Sequence, residues 1–232
     1  MWPRILLVLV CVSGALVGCA KDPILITAEN RSLLKSPPFY SAHGTIPKLY
    51  YASRGEKTTA FLGGLLFSVL FLPVAMAMEN SHDDLVELYH LENPSLTIEQ
   101  DLARRIVKED DLKDIRPNEV GGSWSDPDDL KRRFSQGLLL EVRSDQWGLQ
   151  PTSWSQFHVV LKSSSRLVSV QDAKEIWYDT CVSEKIDGGE RDPNLEDLKA
   201  KDGELLKTMV KEATETCTAE LWKKLQMVAI PK

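Results

Sequence analysis

The chain has 232 residues, a formal net charge of −6 and a pI near 5.3, with 43% hydrophobic and 27% charged residues. That length excludes a disulfide-stapled mini-protein and fits one domain, or one domain with an appendage; the apolar fraction excludes wholesale disorder. No basic excess is available to neutralise phosphates, so a nucleic-acid partner is not expected.

In chain order, Arg4 precedes an uncharged apolar run over 5–17, followed by the small residues Gly18, Cys19 and Ala20. A basic start, a short apolar stretch and small residues form a secretory signal; the run is too short to span a bilayer. At its end, Leu16-Val17-Gly18-Cys19 resembles the lipobox of bacterial lipoproteins. The resemblance implies a lipoprotein signal peptide at 1–18, cleavage before Cys19 and a diacylglyceryl group on the Cys19 thiol, which holds the protein to a membrane. Each buried methylene contributes ~0.8 kcal/mol, so two or three chains are a lasting anchor. Ala20 stands where Asp would signal inner-membrane retention. The same resemblance therefore implies outer-membrane sorting, with the domain in the periplasm.

Residues 19–58 carry Pro23, Pro37, Pro38 and Pro47 among scattered Ser, Lys and Gly, and read as an acylated tether followed by irregular structure. Within them, 46–52 is a candidate first strand, with Pro47 placing it at an edge or a strand start. Residues 59–79 enclose a charge-free apolar stretch over 60–78, interrupted by Gly63, Gly64 and Pro73. Its length meets the requirement for a spanning helix, and membrane helices tolerate Gly and Pro. Three readings stay open: a helical hairpin buried in the domain or a partner, a membrane-inserted segment, and an inner-membrane span.

Residues 80–232 read as an α+β domain. A helix over 95–110 is expected, capped by Ser95, with Leu91, Ile98, Leu102 and Ile106 inward and Glu99, Arg104, Arg105 and Lys108 facing away. A short helix follows Asp126, basic at its end through Lys131, Arg132 and Arg133. Strands are expected over 137–143, 157–170 and 175–182, the last two as a hairpin. Phe157, Val159 and Leu161 alternate onto one face. A long helix over 194–227 has the apolar stripe Leu198, Leu205, Met209, Ala213, Cys217, Leu221 and Leu225, with Gly203 able to break its first turn.

An exported chain meets an oxidising compartment. Cys11 leaves with the signal and Cys19 is acylated, so Cys181 and Cys217 remain as an even pair. A Cys181–Cys217 disulfide is the economical expectation and two buried free thiols the alternative.

Signals of chemistry are weak. Gly55-Glu56-Lys57-Thr58 lacks the adjacent Gly-Lys and upstream Gly of a phosphate-binding loop, so no nucleotide is expected. His82 beside Asp83 and Asp84 has no second ligand at a fixed spacing, so no metal is expected. Ser163, Ser164 and Ser165 lack a nucleophile-elbow context, and His158 reads as an exposed or edge residue. No catalytic residue is assigned, and no cofactor is expected beyond the covalent lipid on Cys19. The candidate hydrophobic or partner surface comprises Phe61, Leu65, Phe67, Leu70 and Phe71 of the apolar segment and Trp124, Trp147 and Trp154 of Gly-, Ser- and Pro-rich connections, since loop Trp residues can anchor an interface.

The strand with Val159, Leu161, Leu167 and Val168, the following Lys174-Glu175-Ile176-Trp177-Tyr178-Asp179 with Cys181, and the Cys-bearing terminal helix are similar to small α+β envelope lipoproteins of the curli-secretion and lipopolysaccharide-assembly type. That resemblance implies a small, mostly antiparallel sheet covered on one face by two helices, 95–110 and the stretch from Leu205 to Leu225. It also implies a non-enzymatic accessory role beside an envelope protein partner, the alternative being a lipid- or hydrophobe-binding module.

Overall fold

The computed structural model describes residues 21–34, 38–51, 85–110, 115–119, 126–134, 136–152, 156–184 and 192–227. In chain order the elements are α1 (Ala28–Leu33), β1 (Phe39–His43), β2 (Tyr50–Tyr51), α2 (Leu85–Leu88), α3 (Pro94–Asp110), β3 (Ile115–Glu119), α4 (Pro127–Arg133), β4 (Leu138–Pro151), β5 (Phe157–Ser169), β6 (Lys174–Glu184) and α5 (Leu195–Gln226). The strands form one sheet in the order β3-β1-β4-β5-β6, with β2 also on β4. The long ladders, β4 with β5 and β5 with β6, are antiparallel; the short pairings of β1 with β3, β1 with β4 and β2 with β4 are parallel.

This is the expected α+β architecture. The sheet has one face covered by α3 and α5, whose apolar sides meet Phe39, Leu140, Val142, Trp147, Leu161, Leu167 and Trp177 in the main core. Alternation sends the intervening residues to the other face. There Tyr40, Ala42, Leu139, Val168 and Val170 pack with Leu130 and Phe134, so the end of α4 closes a second, smaller core.

The expected tether is corrected. Its described residues are built into the domain, which therefore does not begin at position 80. Ile24 exchanges two backbone hydrogen bonds with Tyr178 of β6, at 2.8 and 3.0 Å. Ile26, Leu34, Phe39 and Tyr40 are buried. Thr27 caps α1, and β1 lies between β3 and β4 inside the sheet. The stretch expected as a first strand keeps only Tyr50–Tyr51. Where β1 begins, Gly137 (φ +110°) has no Cβ, and one placed there would fall 2.1 Å from the Pro38 carbonyl oxygen. That carbonyl accepts from the Leu138 N–H at 3.1 Å, which starts the β1–β4 pairing.

Two helix readings also change. Asn93 caps α3, its Oδ1 accepting from the Ser95 N–H at 3.0 Å; Ser95 itself turns into the core. In α5, the capping box of Asn194 and Asp197 starts a turn that breaks at Ala200–Gly203, where Lys201, Asp202 and Gly203 have positive φ. A Cβ at Gly203 would meet the Tyr89 ring at 2.7 Å, so the glycine serves both the left-handed backbone and a close approach. The break resets the helical frame. Leu206, Val210, Ala213, Cys217, Leu221 and Leu225 form the buried face, while Leu205, expected on the stripe, is 41% exposed.

β6 is an edge strand, and unpaired edges invite other strands. At Tyr178 the edge is occupied by Ile24. At Thr180 the backbone N–H donates to Asp179 Oδ1 (2.8 Å), and the carbonyl accepts from Lys224 Nζ of α5 (2.6 Å). Burial works against the Lys224 ammonium, but Glu220 and Asp179 outweigh it and hold its pKa above the ordinary lysine range.

Candidate functional site

Cys181 on β6 and Cys217 on α5 are joined by a disulfide, their Cα atoms 5.4 Å apart and 36 positions apart in sequence. Both are buried. Cys181 stands opposite Ser163 of β5, on the face covered by α5. The helix stripe and the strand alternation thus converge on one bond, and the free-thiol alternative falls away.

Of the expected surface aromatics, Trp147 is corrected. β4 continues past the expected end at 143, through a register shift between Ser144 and Gln146, and Trp147 lies within it. The indole is 2% exposed, and its Nε1–H donates to the Pro47 carbonyl at 2.7 Å. The alternation read from the sequence is offset by one residue at the shift, which turns Trp147 and Leu149 to the core. Phe61, Leu65, Phe67, Leu70, Phe71, Trp124 and Trp154 lie outside the described residues, as do Cys19 and the signal peptide. His158, expected at an exposed or edge position, is buried in the inner strand β5.

A buried polar seam between α3 and the sheet was not foreseen. Ser95 Oγ donates to Ser144 Oγ at 2.8 Å and accepts from the Ser144 N–H at 2.7 Å. Ser144 Oγ lies 3.4 Å from Ser163 Oγ. Asn93 Nδ2 donates to the Gly44 carbonyl at 3.0 Å. One turn along α3 from Ser95, Glu99 is 2% exposed, its Oε2 3.7 Å from His43 Nδ1. It was expected to face solvent. Its spacing of four from Ser95 and three from Leu102 places it on the buried stripe, and its charge masked that signal. Burial raises the Glu99 pKa above the ordinary carboxylate value; the Ser41 hydroxyl and the His43 ring act against that shift.

Ser41, His43 and Glu99 are residue types of an acyl-transfer triad, but their geometry is not that of one. The imidazole–carboxylate separation of 3.7 Å exceeds a hydrogen bond. The seam instead registers α3 against β1 and β4. Because the folded state raises the Glu99 pKa, protonated Glu99 favours folding below about pH 4.5, its unfolded value, and that contribution disappears as pH rises through the folded value. Glu99→Gln is therefore expected to raise the thermal midpoint at pH 7, on the order of a few °C, with little change near pH 4. Urea midpoints between pH 4 and 8 check this, and parallel curves for the two proteins would refute it.

Among the described residues, no group of three or more His, Cys, Asp or Glu is placed to hold a metal ion. No helix among them is long and apolar enough to cross a membrane.

No family model matches the chain, and no curated protein matches it. Among solved structures it is similar to a hypothetical protein of Chlamydia trachomatis, at 7% identity and a TM-score of 0.35, over 82% of this chain and 99% of that one. A lipoprotein of Neisseria meningitidis aligns at 11% identity and a TM-score of 0.28, over 77% of this chain and 99% of the other. A neuraminyllactose-binding hemagglutinin homologue of Helicobacter pylori aligns at 12% identity and a TM-score of 0.30, over 83% and 84%. At that level the likenesses bear on neither mechanism nor partner.

Proposed function

We propose that the protein is a bacterial cell-envelope lipoprotein, anchored through lipid on Cys19 to the outer membrane with its domain in the periplasm. There it serves as a non-enzymatic accessory subunit of a transport, secretion or assembly complex. The observation that carries the anchor is the lipobox-like sequence Leu16-Val17-Gly18-Cys19. The Cys181–Cys217 disulfide supports an exported, oxidising setting. The accessory role rests on the resemblance of the β5, β6 and α5 sequences to small α+β envelope lipoproteins.

Intact mass spectrometry of the membrane-extracted protein is expected to show an N-terminus at Cys19 carrying diacylglycerol. Cys19→Ala should retain the signal peptide and lose the lipid. An unmodified N-terminus in the wild type would sink the anchor. In-cell crosslinking followed by purification in mild detergent tests the role. A stoichiometric protein partner supports the accessory subunit, whereas co-purifying lipid without a partner favours the hydrophobe-binding module.

A further inference from the structure

The segment that follows the anchoring cysteine is fastened to one corner of the fold. Lys21 pairs with Glu175 and lies 4.3 Å over the Tyr178 ring. Ile24 is bonded through both backbone groups to Tyr178, and Ile26 is fully buried. Arg31 of α1 then donates to the Gln226 carbonyl at the end of α5, at 3.3 Å. Lys21, Ile24, Ile26 and Arg31 are thus each held to the domain, and only Ala20 separates Lys21 from Cys19. An extended residue spans at most about 3.6 Å, so the lipid-bearing residue lies within about 7 Å of the Lys21 backbone.

We propose that this corner, made of Lys21 to Leu25, the N-terminal half of β6 and the β5–β6 turn, is the membrane-facing surface of the protein, with a phospholipid bilayer as its partner. The inference rests on the lipid anchor proposed above and adds a fixed orientation to it. Leu25 is 40% exposed here, and the side chain of Lys21, paired with Glu175, is 45% exposed. A part-exposed leucine and a part-exposed lysine stem suit the headgroup boundary, where lysine stems lie along apolar surface.

The opposite end of the sheet then points away from the bilayer. There β4 and β5 meet at Leu149 and Val159, and β2 pairs with β4 at Tyr51. Tyr178 stands opposite Arg166 in β5, seven residues from Val159, or about 23 Å along the strand. Leu205 lies twenty residues before Leu225 in α5, about 30 Å along the helix from the anchored corner. The Tyr89 ring packs beside the break of α5 at this distal end.

The test is photo-crosslinking in cells of the full, lipid-bearing chain with a benzophenone amino acid at Leu25, Gln171 or Leu205. Phospholipid adducts are counted by mass spectrometry. Adducts at positions 25 and 171 are expected to exceed those at 205 by about fivefold or more. Ile24→Pro removes the N–H that bonds Tyr178. It should lower that ratio toward one while the lipid on Cys19 and the cooperative unfolding of the domain are kept. Equal adduct yields in a protein shown to carry the lipid overturn the orientation and leave the anchor standing. So does an unchanged ratio in Ile24→Pro. An N-terminus without lipid overturns both.

Discussion

Replacing both bridged cysteines, Cys181→Ala with Cys217→Ala, is expected to lower the unfolding free energy of the domain by about 3–4 kcal/mol, the chain-entropy value for a loop of this size. For a domain of this length the thermal midpoint should fall by on the order of 10 °C. The bond joins the edge strand β6 to the long helix α5 across 36 positions. Without it the unfolded chain regains the freedom of that loop, and two buried positions keep only their packing. The same loss should follow reduction of the wild-type protein, which separates the bond from the side chains that carry it. Urea unfolding with and without reductant measures both. A wild-type midpoint that does not move on reduction would sink the claim. Cytoplasmic expression without the signal peptide should yield the weaker, reduced form.

The second large effect is expected at the ion pair on the opposite face of the sheet. Glu141 of β4 and Arg166 of β5 stand directly across from one another in the register. Arg166 donates through Nε (2.6 Å) and a terminal nitrogen (2.5 Å) to the same carboxylate oxygen. The two side chains are only 4% and 13% exposed. Removing one partner strands a buried charge, so Arg166→Met should cost about 3 kcal/mol or more. Replacing both, Arg166→Met with Glu141→Gln, should recover most of that loss, because no charge is then left without its counterion. Equal destabilisation in the single and double variants would show that packing of the arginine stem, and not the pair, carries the effect.

The elements with local signals were legible in the amino-acid order alone. β5 and β6 show the expected hairpin and the one-face alternation of Phe157, Val159 and Leu161. α3, α4 and α5 begin close to Ser95, Asp126 and position 194, where the sequence places their starts. Cysteine parity, on the expectation of export, singled out Cys181 and Cys217, and the geometry joins them. In each case neighbours within a few residues, or a count, carry the information.

The remaining features depend on how the chain packs. β1 has five residues, two of them Ser41 and His43, and too little apolar pattern to declare itself. It holds an inner place in the sheet because β3 and β4 supply its hydrogen bonds from residues about eighty to one hundred positions away. Trp147 became a core residue through a one-residue register shift that alternation cannot announce. Glu99 went inward because Ser41 and His43 of β1 lie across from it, and a helical pattern read alone assigns a carboxylate to water. The docking of Lys21 and Ile24 on β6 turned an expected tether into part of the fold. These features depend on partners distant in sequence, and the free energy of such contacts appears only once the chain has closed on itself.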